Sequence, residues 1–168
     1  MIAEGFVQTK LLFNLEEAEE LYDSALEYTP KEATGRALRD TLYAFRGEDA
    51  RVVRDAESSL RLAPRDPHRF FFQSLAGSAS LVAKDYFRSL ELIKSSLRLN
   101  RLYMSSLRIP AVTEWRLGIH DAAKGAAARI LKLNPHFTIS AWKRTTLAAE
   151  FPAEQALAKT LKEIGVPD

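Results

Sequence analysis

Three histidines, one crowded run of carboxylates and one band of cationic side chains are the residues of this 168-residue chain best suited to chemistry. His68, His120 and His136 lack the i, i+4 spacing by which two imidazoles on one helix grip a metal ion, and no HExxH motif is present. The carboxylates gather in LEEAEE, residues 15–20. A general acid and base need environments that push their pKa values apart, and a run of this kind reads instead as the solvated face of a helix. No Gly-rich phosphate loop and no GxSxG occur, and there is no cysteine to supply a nucleophile, a thiolate ligand or a disulfide. The expectation is therefore no catalytic residue, no cofactor, no metal, and a chain that is not an enzyme.

The cationic band is Lys84, Arg88, Lys94, Arg98 and Arg101. A surface that tracks phosphates should recur along the chain with stacking aromatics between its charges, and the formal net charge is only +2 despite an isoelectric point near 8.9. The band is not echoed elsewhere, so no nucleic acid is expected as a partner. The longest uncharged run, FFFQSLAGSASLVA at 70–83, has 14 residues against the roughly 20 that span a bilayer, so it reads as a buried helix and no membrane partner is expected. Glu4 and the lack of a basic leading region argue against a signal peptide, and together with the absence of cysteine this predicts a cytoplasmic location.

What positions these residues is a repeat. ALEYTP at 25–30, SLRLAP at 59–64, SLRLNR at 96–101 and ILKLNP at 130–135 end 34, 37 and 34 residues apart. That period holds two helices and two short turns. Tyr86, Leu90, Ile93 and Leu97 line one helical face, as do Ala18, Tyr22, Ala25 and Leu26, and, with smaller side chains, Ala123, Ala127, Ile130 and Leu131. Helices are predicted near 2–12, 15–28, 31–46, 49–63, 67–83, 85–99, 102–117, 119–133, 138–148 and 153–164. Thr29 with Pro30 and Glu32 reads as a capping box, Asp66–Pro67 and Phe151–Pro152 as proline-opened starts, and Gly47, Gly118 and Gly165 as left-handed helix ends. Pro110 should kink its helix or delay its start. The fold class is all-α, an α-solenoid of antiparallel helix pairs. Its single domain, 1–168, divides into units of about 1–30, 31–64, 65–101 and 102–135, with capping helices over 136–168.

These residues resemble the tetratricopeptide repeat (TPR). Pro30, Pro64 and Pro135 match its unit ends, Gly77 its small residue in the first helix, Gly47 and Gly118 its turn, Tyr86 its second-helix aromatic, and Ala18, Ala25 and Ala123 its small second-helix sites. Arg101, Asp40, Ala111 and Val52 depart from the pattern. LGIHDAAKGAAARILKLNPHFTISAWKR followed by a helix ending LKEIGVPD is similar to the closing segment of TPR arrays on bacterial class III adenylate/guanylate cyclases, over roughly residues 45–168. Similar tails occur on winged-helix transcription regulators. The resemblance implies a C-terminal regulatory or interaction array of a signalling protein, with no cyclase activity on this chain.

Stacked helix pairs curve into a superhelix whose concave side holds a peptide or a partner's helix. By the family's register Thr34, Thr41, Phe71, Ser74, Ser78, Arg108, Val112 and Trp115 face that groove, although Phe71 and Trp115 fit burial against neighbouring helices equally well. Phe70, Phe71 and Phe72 project about 100° apart and cannot all enter one core layer. Ile2, Phe6, Val7, Leu11, Leu12 and Phe13 form an apolar face ahead of the first repeat. An upstream domain or a second copy in a homodimer covers it, or it packs wholly onto the helix at 15–28. A module for self-association or spacing would use this face or the helix of Leu157, Leu161 and Ile164 in place of the groove.

Overall fold

The computed structural model describes residues 1–168, excepting the side chains of residues 49, 50 and 147. Among the described residues there is no strand, and ten α-helices follow one another: α1 (Ile2–Val7), α2 (Leu15–Tyr28), α3 (Ala33–Arg46), α4 (Asp49–Leu62), α5 (Arg69–Val82), α6 (Tyr86–Leu99), α7 (Met104–Arg116), α8 (His120–Leu133), α9 (Ile139–Arg144) and α10 (Pro152–Ile164). The chain pairs α1 with α2, α3 with α4, α5 with α6 and α7 with α8, and each pair stacks on the next. The result is an α-solenoid in which α3, α5 and α7 neighbour one another along the inner side.

Pairing at this closeness needs small residues where two helices cross. A Cβ on Gly77 of α5 would lie 2.6 Å from Cγ1 of Ile93 on α6, and Ile93 is fully buried. Ser89 on the same helix donates to the Gly77 carbonyl at 2.7 Å, which is possible only because the backbones approach so closely. Ala18, Ala37, Ala111 and Ala123 occupy equally enclosed positions in the other pairs. In the first pair Gly5 fits against the Tyr22 ring, and Thr9 and the Tyr22 hydroxyl share a hydrogen bond at 3.2 Å. Burial raises the Tyr22 pKa to about 12.

Several local expectations are corrected. The first helix does not run unbroken over 2–12: α1 ends at Val7 and a π-helical turn spans Gln8–Leu12, stopped by Phe13 at φ 56. The cap of α3 is Glu32, whose carboxylate accepts from the Gly35 N–H, so Thr29 and Pro30 lie outside the helix. Asp66 accepts from the His68 N–H at 2.7 Å and folds residues 64–68 into turns, so α5 opens at Arg69 and not at Pro67. The helix at 138–148 stops at Arg144 and resumes as a 3₁₀ turn at Leu147–Glu150. Helix α7 starts at Met104 and carries Pro110 in its interior. The left-handed ends at Gly47, Gly118 and Gly165 are as read, with φ 72, 77 and 104.

Ion pairs reinforce the early crossings. Arg39 donates through Nε to Asp55 at 2.6 Å and through Nη1 to Asp23, joining α2, α3 and α4. Glu19, from the acidic run, is paired with both Arg46 and Arg51, while Glu16, Glu17 and Glu20 are exposed. The Arg51 guanidinium lies 3.9 Å from the centre of the Tyr43 ring. The phenylalanine triplet divides as its geometry requires: Phe72 enters the core, Phe71 packs beside it, and Phe70 meets Tyr103 edge-on at 5.1 Å.

Replacing Gly77 with Ala is expected to lower stability despite the gain of up to about 1 kcal/mol in helix propensity, because the new methyl collides with Ile93. Adding Ile93→Val should recover part of the loss. Thermal melts of the wild type and of the single and double variants measure both effects. Ala123→Leu, at a site with no exposed surface, should cost about 1–3 kcal/mol by overpacking.

Candidate functional site

The inner side of the solenoid is not an open trough, because the chain's own last helix lies in it. Pro152 and Phe151 launch α10 from the 3₁₀ turn, Gly165 ends it, and between them it packs on α7 and α8 and reaches across to α3. Its apolar stripe of Leu157, Leu161 and Ile164 joins one core with Ile109, Val112, Trp142 and Ile139. Beyond Gly165 the chain turns back, and Ile139 donates its N–H to the Pro167 carbonyl at 2.8 Å, which ties the segment to α9.

An aromatic stack anchors the start of α10. Phe151 lies parallel to Phe45 of α3, with ring centres 5.0 Å apart, and Phe13 stacks on both at 6.1 and 5.7 Å. The left-handed backbone of Phe13 aims its ring into this stack, so the N-terminal turn, α3 and the C-terminal helix meet at one point. Lys10 places its ammonium 4.7 Å from the centre of the Phe45 ring.

Around this seam lies a group of half-buried charges. Burial pushes the Glu154 carboxyl above its ordinary pKa, and Arg108 and Lys10 offset part of the rise. Burial in turn pulls Arg108 and Lys10 below theirs. The Arg108 guanidinium sits 4.8 Å from the Trp142 ring centre, and its Nε has no hydrogen-bond partner among the described residues. Asp40 on α3 is fully enclosed and its Oδ2 is likewise unpartnered; burial and then the nearby Asp55 hold its pKa well above the aspartate range.

What α10 leaves uncovered is a cleft of about 500 Å³ beside α5, with Ser78, Leu81, Ile109 and Val112 along its wall and Arg116 and Glu154 supplying charge. Arg116 also donates to the Thr160 hydroxyl at 2.8 Å. A second, more open hollow of about 860 Å³ lies beyond the aromatic stack, between Phe13, Phe151 and the acidic Glu16, Glu19 and Glu20.

Among the residues expected to face a partner, Ser78 and Val112 line the cleft, and Arg108 lies in the charged seam beneath α10. Thr41 and Ser74 are buried; Thr34 and Phe71 are half-buried. Trp115 is half-buried against the C-terminal core with its ring edge-on to His120, the centres 4.3 Å apart. Phe71 and Trp115 line neither cleft. The reading of the sequence overlooked Glu154, Lys10, Phe45 and Phe151. Their one signal was the amphipathic helix after Phe151–Pro152, whose apolar stripe must find a surface to cover. Nor does the N-terminal face pack wholly onto α2: Ile2 joins the core and Phe13 the aromatic stack, whereas Leu11 and Leu12 remain 61% and 63% exposed. Among the described residues no group of three or more candidate ligands could hold a metal ion, and no helix is long and apolar enough to cross a membrane.

Comparison with solved structures settles the fold. The chain superposes on TTC0263, a thermophilic TPR protein of Thermus thermophilus, with a TM-score of 0.70 at 18% identity, over 98% of this chain and 81% of that one. It has the tetratricopeptide-repeat fold. Pseudomonas aeruginosa PilF gives a TM-score of 0.71 at 16% identity, over 97% of this chain and 72% of that one. YrrB, described as a TPR protein with an unusual peptide-binding site, gives 0.65 at 16% identity, over 98% and 84%. No family model matches the sequence, and no curated protein matches it.

Two outcomes follow for variants at the site. Asp40→Asn should raise the melting temperature at pH 7. A carboxyl whose pKa is raised on folding binds its proton more tightly in the folded state, so the penalty grows as pH climbs above the ordinary value of 3.8 toward the raised folded value. The gain of the variant over wild type should therefore shrink as the pH of the melts is lowered and vanish below the ordinary value of 3.8. Trp115→Ala should lower stability by up to about 3 kcal/mol in denaturant titrations, since its indole contributes to the core.

Proposed function

We propose that this chain is a non-catalytic module that binds a protein or peptide along its inner groove, and that it is the C-terminal repeat region of a bacterial signalling protein such as a nucleotide cyclase, acting in the cytoplasm. The observation that carries the binding reading is the cleft beside α5. Its Leu81, Ile109 and Val112 offer an apolar wall, and Arg46, Lys84 and Arg116 with Glu154 place charge at its margin, a combination that suits an amphipathic segment better than a small polar molecule. The peptide-binding site in the name of YrrB, a protein of like fold, supports the same reading. The signalling parent rests on the likeness of residues 117–144 and 161–168 to cyclase-linked arrays, and the absence of cysteine fits a reducing compartment.

A second reading has an observation of its own. Phe6, Val7, Leu11 and Leu12 leave an apolar strip exposed beside the first helix pair, and self-association through it would make the module a homodimer or a spacer.

Selection of displayed peptides on the purified chain tests the binding reading. Binders are expected to perturb NMR resonances of Ser78, Leu81 and Val112, and Arg116→Glu should weaken them at least tenfold. Binders that map to Leu11 and Leu12 would overturn it. Light scattering over a concentration series tests the second reading, which requires the mass to double with wild type and to stay monomeric with Leu11→Asp.

A further inference from the structure

The groove already holds a helix, and how that helix is held says what the groove recognises. Helix α10 has two unlike halves. Its later half is well satisfied: Leu157, Leu161 and Ile164 are enclosed by the C-terminal core, and Thr160 accepts from Arg116. Its first turn is not. Glu154 is half-buried at the edge of the cleft and makes no direct ion pair among the described residues, and half-buried Arg108 keeps an unpartnered Nε. The aromatic stack of Phe151 on Phe45 and Phe13 clamps the turn in place. Beside the same turn, the cleft along α5 stays unfilled.

We propose that α10 is a resident, displaceable ligand of the groove, and that the partner is an amphipathic helix of the same design: a carboxylate in its first turn for Arg108 and Lys10, and leucine-class side chains three, seven and ten residues later. This rests on the binding reading above and names its ligand class. The spacing is that of Glu154, Leu157, Leu161 and Ile164. An external helix gains over α10 because it is free to move toward α5, fill the cleft, and set its carboxylate directly on Arg108, which the covalent link through Phe151 does not allow α10 to do. Because α10 competes at the high effective concentration of a tethered segment, a partner must match the groove better than α10 does to displace it. The groove is thereby guarded against weak amphipathic helices.

Two measurements on the full chain test this. The first is native-state hydrogen exchange of the free protein. The amides of α10 should exchange at least tenfold faster than those of α7 and α8; exchange of all three helices together at the global rate overturns displacement, whatever the groove binds. The second uses a synthetic peptide of residues 150–168 titrated into the ¹⁵N-labelled chain. Binding should strip protection from the chain's own α10, and Phe151→Ala in the chain should tighten it at least fivefold. Glu154→Gln in the peptide should weaken it at least threefold. If Phe151→Ala fails to fold, Thr160→Ala in the chain, which releases Arg116 from α10 and leaves it free for the Thr160 of the peptide, serves in its place with the same expected direction. A peptide that binds while α10 stays protected, or that does not bind, overturns the proposal. Selected peptides that bind at Ser78 and Val112 without freeing α10 would leave the binding reading standing and sink this one alone.

Discussion

The solenoid depends on how closely the two helices of each unit approach. At Gly77 the α5 backbone comes within reach of a hydrogen bond from the Ser89 side chain of α6, and no Cβ fits between Gly77 and Ile93. That closeness sets the tilt of one helix on the other, and the tilt repeated from unit to unit produces the curvature. Alanines at 18, 37, 111 and 123 hold the other pairs to enclosed crossings. Where serines 89 and 96 stand at the crossings, their hydroxyls find partners on the neighbouring helices: Ser96 donates to the Phe70 carbonyl at 2.7 Å and lies 2.9 Å from Ser106. These two hydroxyls therefore enter the core without being left unpaired.

Curvature brings distant parts of the chain together. The N-terminal turn, the end of α3 and the start of α10 meet in the stack of Phe13, Phe45 and Phe151. A nearest-neighbour array has no such contact, since each unit touches only the next. The closure removes much of the inner surface from solvent and concentrates charge there. Asp40, Lys10, Arg108 and Glu154 all have pKa values displaced by burial, and two of the four carry an unpartnered polar atom. Groups held at such a cost are commoner at places that bind than at places that only fold.

Elsewhere the charges are paired more simply. Arg39, Arg46 and Arg51 tie α2, α3 and α4 through Asp55, Asp23 and Glu19. The band of cations on α6 is partly engaged in pairs, with Arg88 on Glu91 at 2.7 Å and Lys94 on Glu114 at 3.3 Å. Glu19 of the acidic run and Lys94 of the basic band thus join helices, while Arg88 pairs within α6.

The helices, their pairing and their glycine stops were legible in the sequence because these are local or periodic properties. The recurring SLRL-type phrase states the period, the stripes of Ala, Ile and Leu state the buried faces, and a left-handed glycine needs no distant contact to end a helix. Local competition blurred the boundaries: Glu32 took the place of Thr29 as a cap, and Asp66 turned the chain before Pro67 could open a helix. The occupant of the groove was beyond the sequence. An apolar stripe at 157, 161 and 164 says that α10 must bury a face, but not whether it caps the last unit from outside or folds across the inner side. That choice is made by the accumulated tilt of four helix pairs, which alone places Phe45 where Phe151 can stack on it and Arg108 where Glu154 must face it.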